Sequence, residues 1–225
     1  MLSEAEISQA RDVTWHLRAE AISLLKSTAI WESGQGVLPS TRGDLPYGLG
    51  AIKSHIRLAC MRDVIMGLWR LSDPKKDFVS LYRLQKTINA LSNEDPQLIA
   101  KNLWSVGLHQ ATAKPSDIPS AISFLKLRMG PARGYPPTLG NYRSDLNEIR
   151  NGILAHAKLN TESKFLVKRR RAATVLVAEL VRSTLIVFDG FDWNCKRFFR
   201  NALKQANLFW NVIHQQSQIA VSGTD

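Results

Sequence analysis

An arginine and a histidine stand six positions apart in the segment Arg150-Asn151-Gly152-Ile153-Leu154-Ala155-His156. An imidazole titrates near neutrality, so His156 is suited to take a proton from a hydroxyl. A guanidinium keeps its charge at any working pH, and its planar fork matches a phosphate. Arg150 therefore suits the negative charge that builds on a phosphorus atom under attack. Together these are the parts for cleaving RNA by its own 2′-OH, which attacks the adjacent 3′ phosphate without help from a metal. Asn151 adds an amide that can donate to a phosphate oxygen or orient the histidine. Arg11 and His16 form a second pair of similar spacing, so which pair carries the chemistry stays open.

Other chemistries lack their parts. There is no GxxxxGK[ST] and no GxGxxG behind a strand; SGQG at 33–36 sits in a loop and cradles no phosphate. No CxxC, HExxH or GxSxG occurs, and the five histidines (His16, His55, His109, His156, His214) are never spaced i, i+4. No metal and no cofactor is expected.

The elements that must position these residues are helices. Ser3 and Glu6 form a capping box, with Leu2 and Ile7 placed as its staple, and open a first helix running to about Ile30. A Gly/Pro-rich loop fills 33–50. Helices are predicted over about 51–71, 77–91, 93–108 (capped by Asn93, with Pro96 in the first turn), 117–128, 138–158, 162–188 and 193–217. A second loop, MGPARGYPPT, precedes the motif helix. No stretch alternates with period two, so no sheet is predicted. Residues 1–225 read as one all-α domain, a helical bundle with extra helices and two longer loops. The longest apolar stretch, Ala172 to Phe188, contains Glu179 and Arg182; it reads as a buried core helix and not as a membrane span.

Length and composition agree. The 225 residues are enough to bury a core without disulfides, and 44% hydrophobic with 22% charged residues excludes disorder and collagen. Two cysteines, Cys60 and Cys195, suit a reducing cytoplasm and cannot build a disulfide framework. The N-terminus carries acids and no apolar core of a signal peptide. Thirty Lys and Arg against nineteen Asp and Glu leave a net charge of +11, which points to an acidic partner such as nucleic acid. Between 164 and 204 stand ten basic and three acidic residues, so that region supplies most of the excess. Lys164, Lys168, Arg169, Arg170 and Arg171, just after the motif, are the candidate contacts to an RNA backbone. Arg57, Arg62 and Asp63 on the second helix are expected to pair with one another.

The Arg-Asn-x-x-x-Ala-His form of 150–156 resembles the R-x4-6-H motif of the HEPN superfamily. The segment Gly67 to Asp73, GLWRLSD, and the long basic helices look like its abortive-infection, AbiU-like branch. The resemblance extends over about 50–215 as a fold and over seven residues as a motif. It implies an all-α bundle and a metal-independent endoribonuclease, with Arg150, His156 and Asn151 in the catalytic cleft. It also implies a bacterial toxin–antitoxin or phage-defence setting, with an antitoxin protein as a further partner. Some family toxins carry a tyrosine two residues after the histidine, which an antitoxin modifies; here Ala157 and Lys158 follow His156, so that regulation is not supported.

Helix geometry adds a condition. With Tyr142 set at zero on the wheel, Leu146, Ile149 and Ile153 fall within about 40° of it and form the buried stripe. His156 lies about 40° to one side, Arg150 about 80° to the other, and Asn151 about 180° away. Arg150 and His156 are about 9 Å apart along the axis. Two copies packed antiparallel across a two-fold axis bring Arg150 of one near His156 of the other. A homodimer with its cleft at the interface is therefore expected, as the family resemblance also implies. The rival readings are a HEPN module that binds RNA or a protein without catalysis, and a basic helical DNA-binding or assembly protein.

Overall fold

The computed structural model describes residues 2–34, 49–73, 79–104, 111–130, 137–156 and 169–222, with backbone alone at 49–51, 148, 150–156 and 216–222. Within them the chain is all helix, without a strand. The elements are α1 (Glu4–Ser33), α2 (Leu49–Ser72), a 3-10 turn (Leu81–Leu84) leading into α3 (Gln85–Leu91), and α4 (Pro96–Trp104). A second 3-10 turn (Pro115–Asp117) leads into α5 (Ile118–Met129). Then follow α6 (Leu139–His156), α7 (Arg170–Asp189) and α8 (Cys195–Ser222).

Local chemistry sets several of these boundaries. The capping box at α1 forms as its spacing requires: the Ser3 N–H donates to the Glu6 carboxylate at 2.9 Å and the Glu6 N–H donates to Ser3 Oγ at 3.3 Å. At α4 the cap is Asp95 and not Asn93. The Gln97 N–H donates to Asp95 Oδ1 at 2.9 Å, because Pro96 occupies the first helical position and leaves the cap to the residue before it. The helix expected from about 77 begins with the 3-10 turn at Leu81. The expected stretches 105–108, 157–158 and 162–168 lie outside the described residues.

The core is built around α7. Its apolar residues run nearly all round the axis, and a helix of that kind is stable only when enclosed. It packs against α1 and α5, with α4, α2, α6 and α8 completing the shell. The register with α1 is antiparallel: Thr28 and Thr174, both fully buried, share a hydrogen bond at 3.3 Å, and Arg11 meets Asp189 near the other end. α1 and α2 are also antiparallel, through Ser27 to Asp63 and Glu20 to Arg70. α7 ends at Gly190, whose φ of 65° is left-handed. A Cβ there would also come within 2.7 Å of the Trp104 ring, so this position needs glycine twice over. No helix among the described residues is long and apolar enough to cross a membrane.

Candidate functional site

α6 carries the motif, and its first three turns are firmly seated. Leu139, Tyr142, Leu146 and Ile149 are all buried, the stripe that the 3.6-residue period marks out. Thr138 holds the start of the helix: its N–H and hydroxyl both donate to Asn141 Oδ1, at 2.8 and 2.9 Å. Trp69 of α2 donates its indole N–H to Asn147 Oδ1 at 3.3 Å. Arg150, Asn151 and His156 occupy the last two turns, whose backbone is helical to His156. Their side chains lie outside the described residues, as do Lys164 and Lys168.

The rival pair is placed in full. Arg11 Nη2 lies 3.2 Å from Asp189 Oδ1, with side-chain exposures of 14% and 1%. His16 is exposed, about 140° round the same helix. Arg18, on the Arg11 side, stacks over the rings of Trp15 and Phe191 at 4.7 and 5.1 Å. Arg11 thus belongs to an internal ion pair and shares no face with His16.

Three of the predicted RNA contacts, Arg169, Arg170 and Arg171, are consecutive at the start of α7. Successive residues turn about 100°, so the three point to different neighbours. Arg169 reaches α6 and pairs with Asp145 at 3.0 Å. Arg170 is buried and lays its guanidinium on the Trp31 ring at 3.3 Å. Arg171 approaches Glu32 at 3.8 Å and lies 5.7 Å from the Phe199 ring of α8. The side chains of Arg169 and Arg171 are 62% and 64% exposed and can meet a phosphate from outside; Arg170 cannot without leaving its seat.

The surroundings of Arg170 are strongly basic. Arg170 and Arg171 both act on Glu32, Arg57 from α2 lies near Arg170, and Lys53 lies near Arg57. Burial pushes the Arg170 guanidinium down to about 10; Glu32 opposes that shift, and Arg57 and Arg171 add to it. Burial also lowers Lys53, and it raises Glu32 against the pull of its arginines. The sequence reading missed this group because Trp31 and Glu32 come from a segment about 140 residues away. It also expected Arg57, Arg62 and Asp63 to pair together. Asp63 instead accepts from the Ser27 hydroxyl, Arg62 is exposed, and Arg57 turns toward Lys53 and Arg170.

Among the described residues no group of His, Cys, Asp and Glu gathers in a way that could hold a metal ion. No family model matches the chain, and no curated protein or solved structure does either.

Proposed function

We propose that the protein is a metal-independent endoribonuclease of HEPN type, acting as a homodimer. His156 removes the proton of an RNA 2′-OH, the oxygen attacks the neighbouring phosphorus, and Arg150 bears the charge that develops on the phosphate. Asn151 donates to a phosphate oxygen or orients the histidine. The products are a 2′,3′-cyclic phosphate and a free 5′-OH. The setting proposed is cytoplasmic, as a toxin or phage-defence effector, with an antitoxin protein as its restraint.

The observation that carries this reading is the seating of α6. A base and a cation six residues apart work only if their helix is fixed, and α6 is held by its buried stripe, by Trp69 and by the Arg169–Asp145 pair. The last contact also ties the motif helix to a cationic helix start beside it. The competing Arg11 and His16 lack such an arrangement, since Arg11 is committed to Asp189.

The test is cleavage of total RNA by the pure protein in EDTA, wild type beside His156→Ala, with end groups read on the products. Positioned acid–base catalysis is worth ~10²–10⁴-fold, so the variant is expected to lose that much rate at an unchanged melting temperature. Equal activity in both, or none in either, rejects the nuclease; RNA binding that persists without cleavage then favours the non-catalytic module.

A further inference from the structure

A cleft of about 780 Å³ runs between α5 and α7 and is flanked by Pro137 and Tyr142 at the start of α6. Its size falls within the ~300–1,000 Å³ usual for small-molecule sites. Its two ends differ in charge balance. At one end Arg182 donates to Asp192 at 2.6 Å and to Glu179 at 3.3 Å, and Lys196 meets Glu179 at 3.3 Å. The charges there answer one another. At the other end stands Arg128, half-buried, with no acid bonded to it among the described residues. Its Nε and Nη1 are out of water and donate to nothing among the described residues. Asp145, which like Arg128 acts on Tyr142, is paired with Arg169.

Two guanidinium nitrogens out of water without a partner are costly, and a bound oxyanion is what would offset them. The wall beside it is aromatic and apolar. The Phe124 ring lies 5.8 Å from the guanidinium carbon, Tyr142 is buried next to it, and Leu176 and Ile186 line the floor. Arg128 and Ser120 stand eight residues apart on α5, about 12 Å along the cleft, the span of an extended mononucleotide.

We propose that this cleft binds a nucleoside monophosphate, with its phosphate on Arg128 and its base against Phe124 and Tyr142. Turning the guanidinium toward the cleft gives the phosphate a planar fork of donors. The far end of the ligand meets the charge-balanced cluster of Arg182, Lys196, Glu179 and Asp192. This site is separate from the motif of α6 and does not depend on the nuclease reading.

The experiment is calorimetric titration of the full chain at low salt with adenosine and uridine 5′-monophosphates. Inorganic phosphate and adenosine serve as part-ligands. A whole nucleotide is expected to bind more tightly than either part. Arg128→Met should weaken it at least tenfold, and should melt no lower than wild type because it removes an unpaired cation. Ser120→Trp, at an exposed position, should block the cleft in a folded protein. Lys86→Met, an exposed charge loss elsewhere, should leave binding unchanged. No binding of either nucleotide at millimolar concentration overturns the proposal. So does binding that survives both cleft variants, and so does inorganic phosphate binding as tightly as the nucleotide.

Discussion

Arg11 and Asp189, 178 residues apart, meet at 3.2 Å where α1 and α7 run past each other, and Asp189 is almost wholly out of water. Breaking a buried pair by removing one partner leaves the other charge uncompensated, at a cost of about 3–5 kcal/mol. Arg11→Met should therefore lower stability by about 3 kcal/mol in urea unfolding, the lower end because Arg18 still faces Asp189. At a temperature where the variant is folded, RNA cleavage should be retained. Loss of cleavage in folded Arg11→Met would return Arg11 and His16 to candidacy.

The two-fold arrangement makes a stoichiometric prediction. If each cleft takes Arg150 from one protomer and His156 from the other, Arg150→Ala and His156→Ala are each inactive alone. Mixed and re-equilibrated, half of the dimers are hybrids, and each hybrid has one intact cleft. Activity should return to about one quarter of wild type. A mixture as dead as its components would mean that both residues act within one protomer.

The three arginines at the start of α7 should separate by measurement. In the His156→Ala background, Arg169→Ser and Arg171→Ser should each weaken RNA binding and reduce the salt slope by about 0.7 for a single strand. Arg170→Met should leave the slope unchanged and lower the melting temperature, since its guanidinium sits on Trp31, where a desolvated cation–π contact is worth up to about 2 kcal/mol. A slope change in Arg170→Met would mean that it leaves the ring to meet RNA.

Cys195 is buried, and burial followed by the nearby Glu179 carboxylate pushes its thiol up to about 12. Only the thiolate reacts with a disulfide reagent, so native protein at pH 8 should hide Cys195, and unfolding should release it. The sign for stability follows: the favoured neutral thiol contributes fully below the ordinary thiol pKa, and that contribution is lost as pH rises toward about 12. Two thiols titrating rapidly in the native state would contradict this environment.

Much of the scaffold was legible in the chain itself. The capping box at Ser3, the buried stripe through Tyr142, Leu146 and Ile149, and the enclosed helix after Arg170 all follow from interactions within a few residues. Those interactions have fixed periods that a sequence displays directly. The shift of the α4 cap from Asn93 to Asp95 is a local matter too; Pro96 carried the signal, and the sequence reading placed the cap too early.

Which charges answer which was decided only by packing. Four neighbouring basic residues, 168–171, look alike in a row, yet Arg169, Arg170 and Arg171 meet Asp145, Trp31 and Glu32 respectively. Those partners come from segments 24 to 139 residues distant, brought close by the antiparallel packing of α1 and α7 and by the seating of α6. Helix periodicity fixes the direction of a side chain about its own axis, and nothing local fixes what stands in that direction. For the same reason the sequence offered two arginine–histidine pairs of similar spacing, and the fold assigned one arginine of the four residues to a buried carboxylate. Arg128 is the converse case: no neighbour in the chain marks it, and only the assembled cleft between α5 and α7 leaves two of its nitrogens without a partner among the described residues.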